Sequence, residues 1–332
     1  MRFGLALPQY DFSLPGPAPI DWPFVRDWAH HAEGLGFDSV WLSDHLFFDV
    51  AKYGGPEHPQ GAMECFGTLA ALSSATSRVR LGTLVVCNDL RPPAVVAKMA
   101  ATIDVISGGR LELGIGAGWY EPDFRAAGVP FEPPGVRVGR LAEAVEVIGG
   151  MLSAPSFSYK GRFYEVEDAW TLPRPVQSPP TVWVGGKGDR VVSLAGRLAG
   201  GFNTVWAWTP EAYAGRVAIL ERAAAAAGRD PKAVRRSVGL YALPGADQVD
   251  VAARWDRYLA AFPGTPPSLE LEMWRRDKLC GTPLEIAATV EAFAELGVEE
   301  IILSFGLLPF QVVDASAVEY FAEQVFPLSA HL

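Results

Sequence analysis

Residues 36–48 read "GFDSVWLSDHLFF", and the change of character inside them decides the fold. Ser39–Leu42 is a short apolar run that reads as a strand buried on both faces. It ends on an acid and an imidazole, Asp44 and His45, before the chain turns apolar again. Seven further stretches have the same form: "RFGLALP" (2–8), "RLGTLVV" (80–86), "RLELGIGAG" (110–118), "TVWVGG" (181–186), "FNTVWA" (202–207), "RSVGLYALP" (236–244) and "EEIILSFG" (299–306). Strands buried on both faces belong to a parallel sheet covered by helices, so the spacers should be helical.

Most of them are. The first, "DWPFVRDWAHHAEGLGF" (21–37), has Asp21 as N-cap, Pro23 in the first turn and Gly34 or Gly36 as its stop. Similar patterns cover 64–76, 92–107, 139–152, 190–199, 210–227, 283–296 and 312–325. Eight strand–helix units predict a closed (β/α)8 TIM barrel, one domain over 1–332. A doubly wound open sheet is the alternative, but it usually carries a glycine-rich phosphate turn after its first strand. Here that strand ends in the proline-rich "LPQYDFSLPGPAP" (7–19). Two irregular insertions interrupt the repeat, at about 154–180 and 244–280, and in a barrel such segments commonly sit over the mouth or form an assembly surface.

With 49% hydrophobic and 20% charged residues, the chain has ample material for a large core. The formal charge is −10 and the basic residues are scattered, which excludes a nucleic-acid binder's electrostatic footprint. The three cysteines, Cys65, Cys87 and Cys280, lack metal spacing and fit a reducing cytoplasm. No metal site is expected. The apolar start meets Pro8, too soon for a secretory signal, and no run reaches membrane-spanning length, so no membrane association is expected. Apolar helix surface with several tryptophans suggests a homodimer.

A barrel enzyme builds its site where the strands end at their C-terminal side. The second strand delivers Asp44 and His45 to that rim. They read either as a capping acid with a histidine bonded to it, or as a proton-exchanging imidazole whose tautomer the carboxylate fixes. "GIGAGWYE" (114–121) offers Gly116, Ala117 and Gly118, which read as close packing at a barrel corner or as a place for a flat ligand to approach the backbone, with Trp119 as a wall. "VGGKGDR" (184–190) sets Gly185, Gly186, Lys187 and Gly188 at a strand-to-helix junction, where free amides and a lysine suit a phosphate. At strand spacing Trp206 and Trp208 would point to the same side and line an aromatic pocket, whereas Trp183, inside its strand, suits core packing equally. Glu64, at the start of the second helix, either reaches the pocket or serves as a helix N-terminal charge.

Five pieces together, "GFDSVWLSDHL", "TSRVRLGTLVV", "AKMAATIDVISGGRLELGIGAGWYEPDF", "LPRPVQSPPTVWVGGKG" and "AGGFNTVWAW", make the chain resemble the bacterial luciferase-like flavin and deazaflavin oxidoreductase superfamily, most closely its coenzyme F420 branch. The resemblance implies a barrel with an insertion near its C-terminal rim and a flavin-type ring bound across that rim. It implies His45 at the ring in proton transfer with Asp44 beside it, and a non-prolyl cis peptide at Leu84–Val85 backing the ring near Cys87. Gly116, Ala117, Gly118 and Trp119 would border the ring, and Gly185, Gly186, Lys187 and Gly188 would hold the phosphate-bearing tail. Apart from the resemblance, Glu64, Trp119 and one or both of Trp206 and Trp208 are the candidates to face the substrate by their positions in the sequence. Trp119 departs from the pattern, because sugar-phosphate-oxidising deazaflavin enzymes carry a catalytic glutamate there. The function implied is hydride transfer between F420 and a small organic substrate. The alternatives are an FMN-dependent monooxygenase and a non-catalytic cofactor-binding protein on the same barrel.

Overall fold

The computed structural model describes residues 1–13, 19–55 and 57–332. Part of the proline-rich loop, 14–18, lies outside the described residues. The eight barrel strands are β1 (Arg2–Ala6), β2 (Ser39–Leu42), β3 (Arg80–Thr83), β4 (Leu111–Gly116), β5 (Val182–Gly185), β6 (Gly201–Trp206), β7 (Arg235–Pro244) and β8 (Glu300–Ser304). Each pairs in parallel with the next, and β1 closes the ring on β8 through Arg2↔Glu300 to Leu5↔Leu303. The fold is the closed (β/α)8 TIM barrel that the strand pattern predicts.

The helices are α1 (Trp22–Leu35), α2 (Cys65–Ala75), α3 (Pro93–Ser107), α4 (Pro134–Ser153), α5 (Asp189–Leu198), α6 (Pro210–Ala226), α7 (Pro283–Glu295) and α8 (Ala315–Gln324). Their ends follow local chemistry. The Asp21 carboxylate accepts from the Phe24 amide at the start of α1, and Gly36, at φ 89°, turns the chain out of it. Thr282 and Glu285 form a reciprocal capping box on α7. Two starts differ from expectation: Pro134 opens α4 earlier than 139, and Asp314 caps α8 later than 312. A short helix, Glu121–Ala126, was not foreseen.

The barrel interior is filled by large indoles. Trp41 and Trp183 are fully buried and meet edge to face with centroids 6.4 Å apart. The neighbouring strands make room for them with glycine. A Cβ on Gly82 would fall 2.1 Å from the Trp41 ring, and one on Gly201 2.2 Å from that of Trp183.

The first insertion forms a hairpin, Phe157–Lys160 with Glu165–Ala169, that packs along α4 and bonds through Tyr164 to Asn88 at 3.1 Å. The second, after β7, holds a helix at Gln248–Ala260, a short one at Leu271–Trp274, and a strand, Leu279–Gly281, that pairs with the C-terminal extension of β7. That pairing ties the insertion to the C-terminal rim. No helix among the described residues is long and apolar enough to cross a membrane.

Candidate active site

A cavity of about 460 Å³ opens at the C-terminal end of the barrel, lined from the ends of β2, β3, β4, β5 and β6. Of the residues singled out from the sequence it brings together Asp44, His45, Leu84, Val85 and Cys87 from the first half of that list, and Gly116, Ala117, Gly118, Trp119, Gly185, Gly186, Lys187 and Trp206 from the second. Glu64, Gly188 and Trp208 are not among its lining residues. Glu64 caps α2 through the Gly67 amide and bonds Arg91 at 2.7 Å, which is the helix N-terminal role. Gly188 caps α5 one step beyond the lining. Strand β6 ends at Trp206, so alternation does not extend to Trp208, whose ring packs edge-on against Tyr213.

The Asp44–His45 pair needs a correction. Both residues lie beyond the end of β2 at Leu42, and although both line the cavity their side chains go to different partners. Asp44, with a fully buried side chain, takes a bidentate grip from Arg91 (2.7 and 3.0 Å) and accepts from the Cys87 amide at 3.0 Å. Burial pushes its carboxyl above the usual range, while the Arg91 guanidinium works against that shift. The carboxylate fits an anchor for the loop after β3 rather than a partner of the histidine.

The acid that binds His45 is Asp123, on the short helix after β4. Its Oδ2 lies 2.6 Å from His45 Nδ1, and its Oδ1 accepts from the amides of Leu46 (3.1 Å) and Phe47 (2.7 Å). With only 4% of its side chain exposed, this carboxylate is fixed on both oxygens. If the Nδ1 proton is donated to it, Nε2 is left as the nitrogen free to work. Around the imidazole stand Phe48 (4.6 Å between centroids), Trp119 (5.2 Å) and Tyr120 (5.6 Å), all lining the cavity. Asp123, Arg91, Phe48 and Tyr120 escaped the sequence reading, which had only Trp119 as a wall, although "WYEPDF" carries two acids at a strand-to-helix junction where the rim rule directs attention.

The glycines turn out to seat a side chain. Gly114, Gly116 and Gly185 all face Val85, where an added Cβ would come within 2.9, 2.8 and 2.6 Å of its methyl carbons. They thereby let the Leu84–Val85 segment lie against the cavity, and its peptide bond is cis, as the resemblance implied. Val205–Trp206 is a second non-prolyl cis peptide, not foreseen. Gly118, at φ 72°, packs so tightly on Phe124 and Cys87 that a side chain has no room. The Cys87 thiol is pushed up to about 12 by burial and then by Asp44, so it stays protonated. Thr204 also lines the cavity, and its buried hydroxyl has no protein partner. The described residues hold no cluster of His, Cys, Asp and Glu suited to a metal ion.

A flat floor at Val85 and Gly116, an aromatic wall at Trp206 and an orphaned hydroxyl at Thr204 fit a planar ring system. The chain is 35% identical over 214 residues to the F420-dependent glucose-6-phosphate dehydrogenase of Microbacterium testaceum, a match covering 64% of this chain and 59% of that protein. It is 32% identical over 267 residues to the pyrimidine monooxygenase RutA of Escherichia coli, covering 74% and 70%. Among solved structures, an F420-dependent secondary alcohol dehydrogenase in complex with an F420–acetone adduct superposes with TM-score 0.76 at 21% identity, over 99% of this chain and 98% of that one. The luciferase-like monooxygenase family model matches residues 1–300, and the chain therefore belongs to that family.

Proposed function

We propose that the protein is an oxidoreductase that moves a hydride between coenzyme F420 and a small organic carbonyl, imine or activated alkene. One observation carries the reading: a histidine at the cavity wall, held by a buried carboxylate through Nδ1 and boxed by aromatic rings. When bound, the deazaflavin supplies or accepts a hydride at a ring carbon. The segment Leu84–Val85 with Gly116 and Ala117 would lie along that ring, and Gly185, Gly186, Lys187 and Gly188 would face the phosphate-bearing tail.

As a hydride reaches a carbonyl carbon, charge grows on the oxygen, and a proton must meet it there. His45 Nε2 is the group that delivers this proton, and in the reverse direction takes it away. Asp123 opposes the positive charge of the protonated imidazole and keeps the ring from turning. Phe48, Trp119 and Tyr120 keep bulk water from competing for the same proton.

Support for F420 comes from the glucose-6-phosphate dehydrogenase relative, although Trp119 stands where the resemblance expects a catalytic glutamate, so glucose 6-phosphate itself should not be oxidised. The longer match to RutA supports the second reading, an FMN-dependent monooxygenase. Anaerobic titration of the purified protein with F420 and with FMN, followed by oxygen uptake, separates them. The proposal expects F420 to bind at least about tenfold more tightly, a difference of ~1.4 kcal/mol, with no oxygen consumed. Tighter binding of reduced FMN and oxygen uptake dependent on it would overturn the F420 assignment.

A further inference from the structure

The chain has a formal charge of −10 and only six lysines, yet two of the six, Lys52 and Lys187, line one cavity, and Lys187 lies within electrostatic reach of both Lys52 and a third, Lys278. They arrive on separate loops, after β2, after β5 and in the insertion after β7. Lys52 and Lys187 line the cavity. Lys278 is matched by its neighbour Asp277 and lies over the rings of Tyr241 and Trp274. Among the described residues neither Lys52 nor Lys187 has a carboxylate partner.

Three ammonium groups share one nearby carboxylate, Asp277, which is ion-paired to Lys278, so the like charges on Lys52 and Lys187 are not fully offset and repel. Burial, then Lys278, lowers Lys187, with Asp277 opposing; burial, then Lys187, lowers Lys52. An anion arriving at the mouth relieves this repulsion.

The two lysines face different parts of the site. Lys187 belongs to the turn Gly185–Gly188, which the functional reading gives to the cofactor's phosphate. Lys52 Nζ instead lies 3.4 Å from the centroid of the Trp119 ring, a cation–π contact, and Trp119 stands edge-on to His45 at 5.2 Å. The contact holds the ammonium on the side of the cavity where His45 works. We propose that Lys52, seated on Trp119, receives an anionic group of the substrate, a carboxylate or a phosphate, and so selects negatively charged substrates. Lys52 then holds one end of a short molecule whose reducible group meets His45, with Lys187 beside it strengthening the field. The inference rests on the oxidoreductase reading for the identity of the anion as a substrate's; the alternative source of the same chemistry is the cofactor's own tail.

With six lysines the test is tractable by NMR of protein labelled with ¹³C-lysine, each signal assigned by single Lys→Met substitution. Inorganic phosphate and succinate serve as probes at constant ionic strength, with and without saturating F420. The expected result is a saturable shift of the Lys52 signal by both probes in the F420-loaded protein, while Lys98, Lys160 and Lys232 stay still. Lys52→Met should weaken probe binding by about tenfold or more with F420 affinity retained, and Lys52→Arg should preserve it. Uniform, non-saturating shifts of all the lysines would overturn the site. So would loss of the Lys52 response on adding F420, because the cluster would then belong to the cofactor's tail. A saturable Lys52 response in a protein that binds no F420 would uphold the anion site and remove the F420 reading alone.

Discussion

The two ends of the barrel bury polar chemistry in opposite ways. At the N-terminal end, Glu112 is wholly buried and its oxygens meet Arg80 Nε (2.5 Å), Trp183 Nε1 (2.7 Å) and Arg235 (3.4 Å). The charge of Glu112 is answered within the protein, and the indoles of Trp41 and Trp183 lie buried alongside. At the C-terminal end the same strands deliver groups that the protein leaves unanswered: the Thr204 hydroxyl, Lys52, Lys187 and the second nitrogen of His45. One end spends its polar groups on closure. The other keeps them for a ligand, and the difference predicts that mutations will act on stability at the closed end and on chemistry at the open one.

The largest expected effect is at the closed end. Glu112→Ala leaves the buried Trp183 N–H without its acceptor and takes the carboxylate from two partly exposed guanidinium groups that keep other partners, so the loss is expected at the low end of the cost of breaking a buried pair, about 3 kcal/mol. Equilibrium urea unfolding reads it. A loss under about 1 kcal/mol would mean that the network is not what closes the barrel. Next comes His45→Ala at the open end, expected to lower turnover about 100-fold or more while cofactor affinity and unfolding free energy stay close to wild type. Unchanged turnover would remove His45 from the mechanism. Asp123→Asn should be milder, since the amide oxygen can still accept from Leu46 and Phe47 while the charge opposite the imidazole is gone. A fall in kcat of about 10- to 100-fold with little change in cofactor affinity is expected, and partial recovery in Asp123→Glu would mark it as a positioning residue.

These predictions lean unequally on the sequence. All eight strands and most helix ends were legible, because they rest on apolar runs, caps and glycines that act within a few residues. Part of the cavity lining followed too, since a barrel rim turns strand ends into neighbours whatever their separation, but Glu64, Gly188 and Trp208 fall outside it and Tyr10, Lys52 and Phe310 entered unannounced. Which rim residues bond to which was not legible. Asp123 reaches His45 across 78 positions and Arg91 reaches Asp44 across 47, and no periodicity encodes such pairs. The adjacent "DH" suggested a partnership that the loop after β2 does not make, because each side chain there is taken by a residue distant in sequence. Of the two readings open for the strand-4 glycines, close packing is visible: Gly116, and Gly185 beside it, seat Val85 while lining the cavity.

The smallest effect tests the closed end against itself. Glu300 is as buried as Glu112 but less well served: Oε1 accepts from the Ser39 hydroxyl and from Trp41 Nε1 at 3.2 Å, whereas Oε2 has no hydrogen-bond partner and Arg2 stands 3.9 Å off. Burial raises its pKa, with Glu112 adding to the rise and Arg2 opposing it. A raised carboxyl holds its proton more tightly in the native state than in the unfolded chain. Stability is therefore highest below the ordinary value of 4.5, falls as pH climbs from there to the raised native value, and is flat above it. Glu300→Gln keeps the shape and the acceptor oxygen but removes the titration. The variant should match wild type in mild acid and be the more stable of the two at neutral pH, by no more than about 1 kcal/mol. Urea midpoints measured across that range decide it. If wild type instead gains on the variant as pH rises, Arg2 is compensating Glu300 as fully as Arg80 and Arg235 compensate Glu112, and the closed end holds no unanswered charge.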